Sequence, residues 1–206
     1  ALPICIVAVG DPQPSSAEHF EIFAGEPLED LSKTTNTLGL SAVGVALGDI
    51  SWDKPERLDD WKREIVRTGI PFYPVIGNHD HLRKQGGDLQ SSAEYRKRMC
   101  PENYAFFIGK DIFFSVDNII YTAEKGYNEG YADHVLAFVR GVMKYVQADA
   151  DVYIAQHSPL AGRDVGKRIL GTSDMLNLIE GHKTLFLSGH NHLSKPYTYG
   201  NDVTEH

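Results

Sequence analysis

Cysteine is scarce. The 206-residue chain has two, Cys5 and Cys100, and no Cys-x-x-Cys pair. That excludes a zinc knuckle and a dithiol redox motif, although one disulfide stays formally available. Cys5 falls inside an apolar, strand-like run and is expected to be a small buried hydrophobe. Long hydrophobic runs are also missing, and none reaches the roughly 20 residues of a membrane-spanning helix. Basic charge is in deficit, with 20 Lys and Arg against 28 Asp and Glu and a net charge of -8. This argues against a general nucleic-acid binder. It leaves a phosphorylated substrate open, because bound cations reverse the field locally. No Gly-x-Ser-x-Gly elbow, P-loop or Gly-x-Gly-x-x-Gly fingerprint occurs, so those chemistries have no foothold. No repeat, low-complexity tract or linker divides the chain, which predicts one domain over 1–206. The first ten residues are apolar but lack the basic start and small-residue cleavage site of a leader. The chain opens almost directly on a strand, which predicts a processed protein or an excised domain.

What is present is a recurring form. Residues 4–9, 42–47, 71–76, 151–155 and 184–187 are apolar runs. Each ends in, or close to, a glycine or a polar residue. Near-continuous apolar runs of this length suit strands buried on both faces. Helical spacing lies between them. Leu58, Trp61 and Ile65 form one stripe over 55–68, stopped by Gly69. Val135, Phe138, Val142 and Tyr145 form another over 131–147. Shorter helices are expected over 173–180 and 27–38. Residues 91–98 read as a surface helix whose basic end is a solvated face. The stretch 104–123 reads as a hairpin turning at Gly109-Lys110-Asp111. The order is α/β with some antiparallel strands.

Open α/β sheets place ligands beyond the carboxyl ends of their strands. Asp11, Asp49, Asn78, His157, His190 and His192 stand there. Carboxylate, amide and imidazole together suit Zn, Fe or Mn better than Ca or Mg alone. Six such groups exceed the needs of one tetrahedral zinc, so two metals are inferred. Taken singly, each residue has an ordinary reading as a turn, a cap or a strand end. Their joint occurrence, in order and each after a strand, carries the inference.

The motifs are Gly10-Asp11-Pro12-Gln13, Gly48-Asp49-Ile50-Ser51, Gly77-Asn78-His79-Asp80, His157 and Gly189-His190-Asn191-His192. In this order they resemble the calcineurin-like metallophosphoesterases, in the form whose first motif is Asp-Pro-Gln. The likeness spans nearly the whole chain. It implies a four-layer α-β-β-α sandwich of two mixed sheets flanked by helices. It also implies hydrolysis of phosphate monoesters or diesters by a hydroxide held between two metal ions, Mn, Fe or Zn, with Mg as a further option. By resemblance Asp11, Asp49 and His192 hold the first metal, with Gln13 as a fourth ligand or a group acting behind them. Asp49 bridges, and Asn78, His157 and His190 complete the second site. His79 is the proton donor to the leaving group, and Asp80 is the carboxylate that orients its ring. Asp53 is expected to brace its loop.

Asn78 and His79 are expected to face the substrate, and Arg163, a short loop beyond His157, is the basic side chain expected to contact it. Arg83, Lys84, Lys167 and Arg168 are further cations near the motifs. The Gln13 substitution also admits a catalytically silent metal- or phosphate-binding module of the same fold. Relatives with the Asp-Pro-Gln form include exported bacterial proteins with flanking β-rich domains. The resemblance therefore points to export within a longer precursor, with a cytoplasmic protein as the alternative.

Overall fold

Strands that are apolar on both faces need cover on both sides, and the chain supplies it in four layers. The computed structural model describes residues 4–37, 39, 41–83, 86–122, 124, 126–162, 167–193, 196–199 and 202–206. In chain order come β1 (Ile4–Val9), α1 (Ala17–Thr37), β2 (Ser41–Leu47), α2 (Glu56–Ile65) and β3 (Phe72–Val75). Two short helices follow, α3 (Asp88–Ser91) and α4 (Ala93–Arg98). Then come β4 (Tyr104–Ile108), β5 (Asp111–Ser115), β6 (Ile119–Thr122) and β7 (Gly126–Glu129). The chain continues with α5 (Asp133–Met143), β8 (Val152–Ala155), α6 (Thr172–Leu178), β9 (Thr184–Leu187), β10 (Tyr197–Tyr199) and β11 (Val203–Glu205).

β1, β2 and β3 form a parallel sheet in that order. A six-stranded mixed sheet runs β10-β11-β9-β8-β5-β4, with β5, β8 and β9 parallel. The two sheets meet face to face through Val45, Leu47 and Val75 on one side and Phe113, Ala155 and Leu187 on the other. The outer face of the first sheet is covered by Phe20 and Leu28 of α1 and by Leu58, Trp61 and Ile65 of α2. The outer face of the second is covered by Val135 and Val139 of α5 and Met175 of α6. Alternation along single strands records this. In β5, Ile112 and Phe114 face the helices while Phe113 faces the other sheet. Among the described residues, no helix is long and apolar enough to cross a membrane.

Several elements depart from expectation. The helix expected over 27–38 is the second half of α1, which runs through Pro27. Proline removes one intrahelical donor. Phe20 and Leu28, on either side of it, are both buried and hold the two halves on the sheet. Ser16 opens this helix, its hydroxyl accepting from the His19 amide at 3.1 Å. The stretch 91–98 is split between α3 and α4 and is not merely a solvated face. Tyr95 is fully buried and donates to the Pro74 carbonyl. Arg96 pairs with Glu102, and Arg98 with Asp59. The hairpin β6–β7 and the terminal strands β10 and β11 were not expected. They are three or four residues long, too short to show a period. Cys5 and Cys100 are both free and only half-buried, so Cys5 is not the buried hydrophobe expected.

Candidate metal centre

Six non-glycine residues have positive φ among the described residues: Asp11, Gln13, Asp49, Asp53, His190 and His192. All six lie in the loops beyond β1, β2 and β9. Such backbone costs about 1–3 kcal/mol per residue and persists where the surroundings over-determine it. The glycines between them are needed for closeness. A Cβ on Gly77 would lie 2.2 Å from the Asp49 amide nitrogen and 2.3 Å from its Oδ1. The loops after β2 and β3 therefore touch backbone to carboxylate, which any side chain at 77 would prevent.

His157, wholly buried at the end of β8, is the hub. Its Nδ1 lies 2.8 Å from the Leu47 carbonyl, so that nitrogen carries the proton and donates. Nε2 then holds a lone pair. It faces Asn78 Oδ1 at 3.0 Å, His190 Nδ1 at 3.1 Å and Asp49 Oδ1 at 3.3 Å. With the His190 proton on Nε2 and Asn78 presenting Oδ1, all four atoms are acceptors, an arrangement that a cation between them, a proton or a metal ion, satisfies. Asp49, His157 and His190 lie close enough to hold one together. Burial opposes charge on His157, but Asp49 and then Asp11 win and hold its pKa up to about 9. Burial likewise works to raise the Asp49 carboxyl, yet His157 holds it down to about 2. In the metal-free protein, a proton on Nε2 takes the cation's place.

Asp11 stands beside this cluster. Its Oδ2 accepts from the His190 amide at 2.8 Å. Its Oδ1 is buried with no hydrogen-bond partner and lies 3.5 Å from His192 Nε2. Burial pushes the Asp11 carboxyl above its ordinary value, against the pull of His157. An orphaned buried carboxylate oxygen facing an imidazole fits a second cation. Gln13 enters differently. Its amide nitrogen donates to Asp49 Oδ2 at 2.7 Å, so it braces the carboxylate expected to bridge.

Asp80 does not touch the His79 ring, as the motif comparison had implied. It is wholly buried and accepts from the amides of Ile50, Ser51 and Gly77 and from the Ser51 hydroxyl, at 2.7–3.1 Å. The reason is the turn at 77–80, closed by the Asp80 amide on the Gly77 carbonyl, which sends the Asp80 carboxylate inward. Burial, then the Asp49 charge, pushes its pKa up to about 7. The carboxylate on the His79 ring is Asp53, whose Oδ1 lies 3.0 Å from Nδ1. Asp53 also joins its loop to the other through its amide and the His79 carbonyl, so the bracing role holds as well. Trp52 stacks on the His79 ring at 4.1 Å and 15°. Arg83 places Nε 3.0 Å from the same Asp53 oxygen and Nη2 2.9 Å from His79 Nδ1.

Asn78, His79, Asp49, His190 and His192 open into one cleft of about 640 Å³. Arg83 is the only Lys or Arg among its described lining residues. Arg163, the substrate contact expected from the sequence, and Lys84 lie outside the described residues. Lys167 and Arg168 line a separate hollow with Glu129 and Leu170. Sequence reasoning missed Trp52 and Tyr121, whose hydroxyl fixes the Asn78 carbonyl at 2.8 Å. It also missed Glu129, on His190 Nε2 at 3.0 Å. None of the three stands in a motif.

No protein-family model matches the chain, and no curated protein sequence matches it. Solved structures do. Phosphopantetheinyl hydrolase from Mycobacterium tuberculosis superposes with a TM-score of 0.62 at 12% identity, covering 98% of this chain and 87% of its own. TT1561 of Thermus thermophilus does so with 0.57 at 16%, covering 97% and 86%. The 5′-nucleotidase of Candida albicans gives 0.56 at 10%, covering 99% of this chain but 45% of its own. At such identities the likeness speaks for the fold, an α/β sandwich of sheets flanked by helices.

Proposed function

We propose that the chain is a metal-dependent hydrolase of phosphate esters. The observation that carries the reading is the convergence of Asp49, Asn78 and His190 on Nε2 of His157, beside an open cleft. These four residues would hold one cation. Asp11 and His192, with Asp49 between, would hold a second, and the orphaned Asp11 oxygen supports it. Mn, Fe or Zn suits such a mixed set of donors. Bound cations supply polarisation of the phosphoryl group and an acidified water.

The chain's own residues do the rest. With the ring protonated, Asp53 accepts the Nδ1–H hydrogen bond of His79 and Trp52 holds the ring plane, so the Nε2–H is the proton given to the departing alkoxide oxygen and the neutral imidazole is left behind. Arg83 neutralises Asp53 from the side and offers its remaining N–H groups to a phosphoryl oxygen. The silent-module reading rests on Gln13, whose amide occupies an Asp49 oxygen that a bridge would use. Turnover separates the two. The metal-depleted protein, reloaded with Mn²⁺ or Zn²⁺, is expected to hydrolyse p-nitrophenyl phosphate or its bis-ester and to stop when chelator is added. Stoichiometric metal uptake with no turnover of either ester would leave the silent module standing.

A further inference from the structure

Glu129 closes β7 in the small hairpin sheet, outside every motif. Its Oε1 lies 3.0 Å from His190 Nε2. The His190 side chain is 5% exposed, and its other nitrogen, Nδ1, faces the donor cluster 3.1 Å from His157 Nε2. An imidazole that gives its Nε2 proton to a carboxylate keeps its lone pair on Nδ1 and becomes a stronger donor there. The hairpin is itself tied to the hub. The Gly130 amide donates to the Asn118 carbonyl at 2.8 Å. The Asn118 side chain accepts from the His157 and Ser158 amides at 3.2 and 3.0 Å. On the other side, the Leu170 amide donates to the Glu129 carbonyl at 3.0 Å. Backbone bonds thus hold Glu129 in register with both imidazoles.

We infer that Glu129 is a positioning residue for the metal centre. Its carboxylate fixes His190 with Nδ1 toward the cluster, and its charge strengthens that nitrogen as a ligand. The cluster of Asp49, Asn78, His157 and His190 is therefore the tighter of the two cation sites. The Asp11–His192 pair fills second, because its His192 side chain is 59% exposed. This rests on the metal centre proposed above but not on turnover.

The test is a metal titration of the full chain, metal-depleted, with Mn²⁺ or Zn²⁺ against a chromophoric chelator. Wild type is expected to bind one equivalent tightly and a second at least tenfold more weakly. E129A should weaken the tight step by about 10–100-fold, the usual effect of losing such a partner. E129Q keeps an acceptor for the ring and loses the charge, so it should fall between, at least about threefold weaker than wild type. Urea unfolding of the metal-free variants gives the readout for a merely structural role. Lower stability with wild-type metal affinity would overturn the assignment. If E129A does not fold, E129Q decides, and unchanged affinity there overturns it equally. A wild type that binds metal but hydrolyses no ester would defeat the proposed function and leave this titration valid.

Discussion

Metal uptake should release a proton from His157, and the amount can be worked from the site. A cation on Nε2 needs the lone pair bare, while in the metal-free protein Asp49 and Asp11 overcome the effect of burial and hold the pKa up to about 9. At pH 8 such a group still carries ~0.9 of a proton, against ~0.03 for an ordinary histidine of pKa ~6.5. Asp80, raised to about 7, carries only ~0.1 at that pH and barely contaminates the count. The sign follows from linkage. Protonation competes with the metal, so apparent affinity rises with pH, by up to about tenfold per unit between pH 7 and 9, and then levels. The competition lowers the apparent affinity at pH 7 by about a hundredfold relative to the plateau. Calorimetric titration with Mn²⁺ at pH 8, in two buffers of different protonation enthalpy, reads the proton count as a slope. A release near zero at pH 8, or an affinity already level from pH 7 upward, would show that His157 holds no proton in the metal-free protein and overturn the reading of a proton in the cation's place.

Three further outcomes are expected. His79→Ala should retain its metals and lose roughly 10²–10⁴-fold in kcat on alkyl phosphates, with a smaller loss on aryl esters; equal losses on both would remove His79 from the proton-donor role. Asp80→Ala strands three buried amides and a hydroxyl, so urea unfolding should show a loss on the order of 3 kcal/mol or more; a change within about 0.5 kcal/mol would mean that water satisfies them. Gln13→His exchanges an amide donor on Asp49 for an imidazole ligand, so the weaker metal step should tighten and shift toward Zn²⁺; unchanged affinity in both steps would place Gln13 away from the metals.

Much of the fold was legible because it is written in short-range chemistry. β1 and β9 have the bounds read from their apolar runs, and β2, β3 and β8 differ by a single residue at one end or both. A strand covered on both faces needs an unbroken apolar run, and few other elements tolerate one. Helices α2 and α5 were marked by their apolar stripes, and α2 also by its stop at Gly69. α1 was half missed because Pro27 reads as a boundary, although packing on both sides of it carries the helix through. The short strands β6, β7, β10 and β11 had no period to show.

At the site, residue types and order were decided by sequence, and partners were decided by tertiary structure. Asp49, Asn78, His157 and His190 stand at strand ends, and a sheet gathers its strand ends along one edge, so their meeting could be read in advance. The pairing of His79 could not. Asp80 is its neighbour in sequence, yet the turn at 77–80 points that carboxylate into the protein, and Asp53, 26 residues away, reaches the ring. Glu129 arrives from a separate hairpin, and Gln13 turns its amide nitrogen toward Asp49. Sequence spacing limits where a side chain starts. Which atom it meets depends on the φ and ψ of loops that only the packed sheets hold in left-handed backbone at Asp11, Asp49, Asp53 and His190.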